Sequence, residues 1–160
     1  MATPCSCSTT DSPSAASSIH TVYLGLGSNL GNKEWNISQA VTLIAGQIGT
    51  VVRQSALYRS EPWGFQSDHS FVNAVVCVET TLSPLQLLKA TQRIERLLGK
   101  NSTHATQREA DAAVAYHDRP IDIDILLYDQ LHVNLPNLHI PHPLMQQRPF
   151  VMVPLGEVLR

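Results

Sequence analysis

The stretch FVNAVVCVETTLSPLQLLKATQRIERLLG, Phe71–Gly99, sets a strand directly before a helix. Phe71–Thr80 is an almost unbroken valine-rich apolar run, the pattern of a well-buried strand. Ser83-Pro84 supplies an N-cap with proline at the first helical position, where its missing N–H has no helical partner to lose. Leu87, Thr91, Ile94 and Leu98 then form one helical stripe, which Gly99 closes.

Working upstream, EPWGFQSDHS reads as a loop and Val51–Ser60, VVRQSALYRS, as a strand with mixed faces. Before it, Ile37, Val41, Ile44 and Ile48 recur at helical spacing, with Asn32 as candidate N-cap. The run TVYLGLG from Thr21 is the first strand. Its glycines continue as Gly25, Gly27 and Gly31, a G-x-G-x-x-x-G spacing that matches neither the dinucleotide fingerprint nor a P-loop. A tight turn after the strand accounts for them. Downstream, Lys100–Arg119 has no clear period and is long for a connection in a small domain, so a functional lid is expected. PIDIDILLY is a fourth strand, followed by HIPHP and RPFVMVPLGEVLR, a turn plus a short terminal helix or extended stretch.

The order strand, helix, strand, strand, helix, strand predicts an α+β, ferredoxin-like βαββαβ sandwich. Its antiparallel sheet carries helices on one face and the ligand cleft on the other. That architecture names no ligand by itself.

The chain has 160 residues, 43% hydrophobic and 15% charged, enough for one domain with its own core. Residues 1–20 are dominated by Ser, Thr, Ala and Pro, with Asp11 as their sole Asp, Glu, Lys or Arg. They read as a disordered tail before a domain at 21–160, with the marks of neither a secretory signal nor a mitochondrial presequence. A net charge of -2 excludes a broadly basic nucleic-acid binder, so a polyanionic ligand must meet a local cluster of cations. No apolar run approaches the ~20 residues of a membrane span. Cys5, Cys7 and Cys77 cannot all pair with one another, which fits a reducing, cytoplasmic setting.

Asp122 and Asp124 flank Ile123 on the fourth strand. Alternation sends both carboxylates from one face, about 7 Å apart along the chain. Paired carboxylates with room for waters and phosphates suit Mg²⁺, although a solvated strand face carries the same pattern. Arg119, His142 and Arg148 add cations able to clamp a polyphosphate. Phe71 and Asn73 share a face of the third strand, with Trp63 and Phe65 in the loop before it, and this set could sandwich a planar heterocycle and read its edge. Phe71 and Phe150 serve equally well as core residues. Gln92 and Glu95 share a helical face that reads either as solvated or as ligand-facing.

Together these segments resemble the 6-hydroxymethyl-7,8-dihydropterin pyrophosphokinase family. The resemblance rests on YLGLGSNLGN, YRSEPWGFQSDHSFVNAV, TQRIERLLGK, DRPIDIDILLYD and LHIPHPLMQQRPFVMVPL, all in the family's order. It implies a monomeric enzyme of folate biosynthesis with ATP and a reduced pterin as substrates. Asp122 and Asp124 would hold two Mg²⁺ ions with ATP, and Arg119, Asp122 and Asp124 would be catalytic. Gln92, Glu95, Arg119, Ile125, His142 and Arg148 would seat the nucleotide, and Trp63, Phe71, Asn73 and Phe150 the pterin. Lys100, Arg108 and Tyr116 are candidates for the lid, which departs from the family's usual basic and Trp pattern. The same residues are also compatible with a catalytically weakened paralogue or a non-catalytic module that binds a small ligand.

Overall fold

At the centre of the sheet, β1 (His20–Ser28) runs antiparallel to β4 (Phe71–Thr80) on one side and to β5 (Asp122–Tyr128) on the other. The computed structural model describes residues 18–60, 70–99 and 120–159. Helix α1 (Lys33–Gln47) follows β1, and α2 (Pro84–Leu97) follows β4. The outer edge of β4 is paired by β2 (Gly49–Gln54) and β3 (Tyr58–Ser60). With β2 and β3 taken as one broken edge strand, the order β2-β4-β1-β5 is the expected ferredoxin-like sheet.

The break corrects the expectation of a single strand over Val51–Ser60, and Ser55 explains it. Its N–H donates to the Val75 carbonyl and its Oγ accepts from the Val75 N–H, both at 2.9 Å. A side-chain oxygen thus replaces a ladder carbonyl, so the chain leaves the ladder without orphaning the partner strand.

On the helix side of the sheet, Leu24, Leu26, Val72, Val76, Ile123 and Ile125 pack against Ile37 and Ile44 of α1 and Leu87 and Ile94 of α2. Each such side chain contributes on the order of 1.5–3 kcal/mol of burial. Both helix starts follow the sequence: Asn32 Oδ1 accepts from the Trp35 N–H at 3.0 Å, and Ser83 and Gln86 form a reciprocal capping box.

The opposite face is only partly open. The terminal segment forms α3 (Pro149–Val158), whose Val151, Leu155 and Val158 cover Val75, Cys77 and Leu126. Arg53 Nε donates to the Val158 carbonyl at 3.0 Å, and Glu157 Oε1 accepts from the Ala56 N–H at 2.9 Å. The broken edge therefore anchors the far end of α3.

Three further readings are corrected. Gly25 and Gly27 lie inside β1, and the turn that needs left-handed backbone is at Gly31, with φ +69°. Strand β1 starts at His20, one residue before the expected start of the first strand, with His20 Nδ1 2.7 Å from Asp129 Oδ2. Between β5 and α3, β6 (Val133–Leu135) and β7 (Leu138–Ile140) make a hairpin around Pro136-Asn137, whose turn residues and alternating flanks were its signal. Among the described residues, no helix is long and apolar enough to cross a membrane.

Candidate active site

Register across the sheet builds the site. Gly27 stands between Asn73 on β4 and Asp122 on β5, and Gly25 between Val75 and Asp124. Because strands lie about 4.8 Å apart, the Asn73 and Asp122 backbones are about 10 Å apart across a glycine floor. A Cβ on Gly27 would come within 3.0 Å of Asn73 Oδ1 and 3.6 Å of the Phe71 ring. The missing side chain lets Asn73 and Phe71 lean over β1.

Asn73 is 5% exposed, and its Nδ2 donates to Ser60 Oγ at 2.9 Å and to the Tyr58 carbonyl at 3.3 Å. Both amide hydrogens go to β3, so the amide is turned with its acceptor, Oδ1, toward Gly27. Sequence reading assigned Asn73 an edge-reading role without this orientation, which depends on a neighbour strand 13 residues away.

Asp122 and Asp124 are half-buried on the face away from the helices, while Ile123 and Ile125 point into the core. The Asp124 side chain remains 33% exposed, with its Oδ2 4.0 Å from His142 Nε2. His142 is held by its own N–H on the Leu126 carbonyl at 3.1 Å, and its Nδ1 accepts from the Leu144 N–H at 3.3 Å. An accepting Nδ1 assigns the neutral ring's proton to Nε2, on the side of Asp124. Burial pushes the imidazole pKa below its ordinary value, with Asp122 opposing in the other direction.

Arg148 stands at the residue before α3 and is 4% exposed, its guanidinium carbon 5.8 Å from the centre of the Phe150 ring. Burial lowers its pKa to about 10, which leaves it cationic at neutral pH. Phe150 is half-buried against the α3 side of the sheet. Arg148, Phe150, His142 and Asp124 thus belong to one side of the molecule with Phe71, Asn73 and Asp122.

Ile125, Gln92 and Glu95 belong to the helix side of the sheet. Ile125 points its side chain into the helix-side core, so only its backbone faces other partners. Gln92 is exposed on α2. Glu95 is buried, 6% exposed, and its Oε2 accepts from the Ile123 N–H at 2.7 Å. Trp63, Lys100, Arg108, Tyr116 and Arg119 lie outside the described residues. Sequence reasoning missed Ser28 and Asn29, both fully buried at the end of β1. There Asn36 Nδ2 bonds Ser28 Oγ at 3.2 Å and the Leu30 carbonyl at 2.9 Å, which shapes the loop beside the glycine floor. The polar run Ser28-Asn29 directly after an apolar strand was the available signal.

Asp122 and Asp124 form a hard oxygen donor pair, and among the described residues no group of three or more His, Cys, Asp or Glu side chains could hold a metal. Two carboxylates on an open strand end fit an ion that takes its other ligands from water and phosphate, as Mg²⁺ does.

Comparison with known proteins identifies the family and the fold. The family model described as 7,8-dihydro-6-hydroxymethylpterin-pyrophosphokinase matches residues 23–160. A 2-amino-4-hydroxy-6-hydroxymethyldihydropteridine pyrophosphokinase of Porphyromonas gingivalis is 46% identical over 138 residues, covering 86% of this chain and 89% of the relative. One of Bacillus subtilis is 37% identical over 137 residues, covering 85% of this chain and 76% of the relative. In fold, the chain is similar to the Plasmodium falciparum HPPK-DHPS crystal structure, with a TM-score of 0.65 at 16% identity, covering 87% of this chain. It spans only 40% of that longer protein. The family match across the domain, with relatives named as enzymes over nearly their whole length, shows that this chain is an enzyme belonging to the 7,8-dihydro-6-hydroxymethylpterin-pyrophosphokinase family.

Proposed function

We propose that this enzyme transfers pyrophosphate from ATP to 6-hydroxymethyl-7,8-dihydropterin, giving AMP and the pterin diphosphate for folate biosynthesis. One observation carries the reading: Asn73, Gly27 and Asp122 stand side by side across three strands. A flat heterocycle lying on the glycine floor would have its edge at Asn73 Oδ1 and its hydroxymethyl group toward the carboxylates. An acceptor at Asn73 suits the amino and N–H groups of a pterin edge, and the Phe71 and Phe150 rings suit its faces.

Asp122 and Asp124 would hold two Mg²⁺ ions with the nucleotide. Bound there, the ions neutralise phosphate charge and polarise the β-phosphoryl group. The pterin hydroxyl oxygen attacks the β-phosphorus in line and gives up its proton to solvent, the bond from that phosphorus to the α-phosphate oxygen breaks, and AMP leaves with the bonding electron pair on its phosphate oxygen. The protein's part is positioning and charge stabilisation, with no side-chain nucleophile needed. Arg148 and the Nε2–H of neutral His142 would donate to phosphate oxygens, Arg119 would add a further cation to the same phosphates, and Lys100, Arg108 and Tyr116 are the lid candidates. Ile125 contributes through its backbone.

The test is incubation of the protein with ATP, Mg²⁺ and the reduced pterin, followed by chromatography of nucleotides. AMP should form in step with pterin diphosphate, and neither should form when pterin or Mg²⁺ is omitted. AMP no higher than in the pterin-free control would overturn the proposal.

A further inference from the structure

The buried carboxylate of Glu95 does not face the glycine floor; it meets the backbone of β5 between the two aspartates. Among the described residues β5 is the last strand of its sheet, and it pairs on one side with β1, Ile123 standing opposite Leu26 between Asp122 and Asp124. The Ile123 N–H goes to Glu95 Oε2 rather than to β1, which by the alternation of an antiparallel ladder makes Ile123 the residue facing off the sheet edge. An outward N–H at a buried edge needs an acceptor, and α2 supplies one at 2.7 Å, the short distance of a charge-assisted bond. Three residues on, the Leu126 carbonyl of the same strand takes the His142 N–H at 3.1 Å. Leu126 is the residue skipped where the β1–β5 register shifts, so β5 is held by bonds from outside the ladder on both sides of Asp124.

We infer that Glu95 is a positioning residue: by holding the Ile123 N–H it sets the direction and separation of the Asp122 and Asp124 carboxylates. This deepens the proposed function and rests on it for the role of the aspartates as ion ligands. A carboxylate 6% exposed within an apolar helix stripe is expensive to bury without such a partner, and a neutral apolar residue would fill the same space at lower cost. Two ligands on one strand keep a common geometry only if the peptide units between them do not rotate. The Glu95 bond restrains those units, and its effect is expected in ion use more than in pterin binding.

Three variants separate acceptor, charge and bulk. Glu95→Met keeps the volume without an oxygen, Glu95→Gln keeps a neutral acceptor, and Glu95→Asp keeps the charge with shorter reach. Two readouts do not require turnover: amide exchange at Ile123, and calorimetric binding of Mn²⁺ with α,β-methylene-ATP. The third is the Mg²⁺ concentration for half-maximal AMP formation. Glu95→Met should speed Ile123 exchange on the order of tenfold. It should also weaken Mn²⁺ binding and raise the Mg²⁺ requirement by a similar factor, with little change in pterin KM. Glu95→Gln should restore most of all three. Unchanged Ile123 exchange in Glu95→Met would overturn the inference, as would faster exchange with unaltered ion binding. Slow exchange in Glu95→Gln together with ion binding as weak as in Glu95→Met would point instead to direct ligand contact. If Glu95→Met does not fold, Glu95→Asp carries the same expectations. Failure of the wild type to make AMP would overturn the proposed function, while exchange and Mn²⁺ binding still decide the role of Glu95.

Discussion

A methyl group at Gly27 would sit 3.0 Å from Asn73 Oδ1, closer than the amide can accept without moving. Gly27→Ala is expected to tilt Asn73 off its bonds to Ser60 and Tyr58 and raise pterin KM on the order of tenfold. Its overpacking should cost about 1–3 kcal/mol. Steady-state kinetics with varied pterin checks the first effect and urea denaturation the second. Asp124→Asn should lower kcat on the order of 10³-fold at saturating Mg²⁺. The side chain is one-third exposed, so stability should stay within about 0.5 kcal/mol of wild type, by the same denaturation measurement. Retained turnover would count against the ion-ligand assignment. The aspartate pair was legible because a period of two needs no knowledge of neighbours. The role of Glu95 was not, because a polar residue beside a helix stripe looks the same whether it meets water or an unpaired strand edge.

Among the elements, the broken edge strand is the most informative. Ser55 Oγ accepts the buried Val75 N–H, so Ser55→Ala leaves a donor without its acceptor. A loss of about 1–3 kcal/mol is expected in urea denaturation, with β3 frayed and Ser60 less able to orient Asn73. Pterin KM should rise with it, and an unchanged KM would show that β3 is held by other contacts. The helices were legible to within a residue or two, since Asn32 and Ser83-Pro84 announce their own starts. The strand break was hidden because serine within a β-rich run does not reveal that its side chain will stand in for a backbone group.

For the molecule as a whole, α3 joins two tasks. Its start carries Arg148 and Phe150 toward the site, and its end is tied to the broken edge by Arg53 and Glu157. Between them, Leu155 is buried over the α3 side of the sheet and Cys77 lies beneath, each 1% exposed. Leu155→Ala is expected to cost about 2–5 kcal/mol. In a Cys5→Ser, Cys7→Ser background it should speed labelling of Cys77 by a thiol reagent, because release of α3 uncovers that thiol. Slow labelling in a destabilised variant would show that α3 stays docked until global unfolding.

Period, capping and turn chemistry are local, so the sequence alone determined the βαββαβ order, both main helices and the shared face of Asp122 and Asp124. Contacts between residues far apart in the chain are set by register and packing. Only the tertiary structure therefore decided that Gly25 and Gly27 form a floor within β1, that α3 covers part of the ligand face, and that Asn73 presents its acceptor. It also decided that Glu95 closes an open strand edge. In each case the deciding partner is a backbone group or a missing Cβ on another strand or helix, which side-chain periodicity does not report.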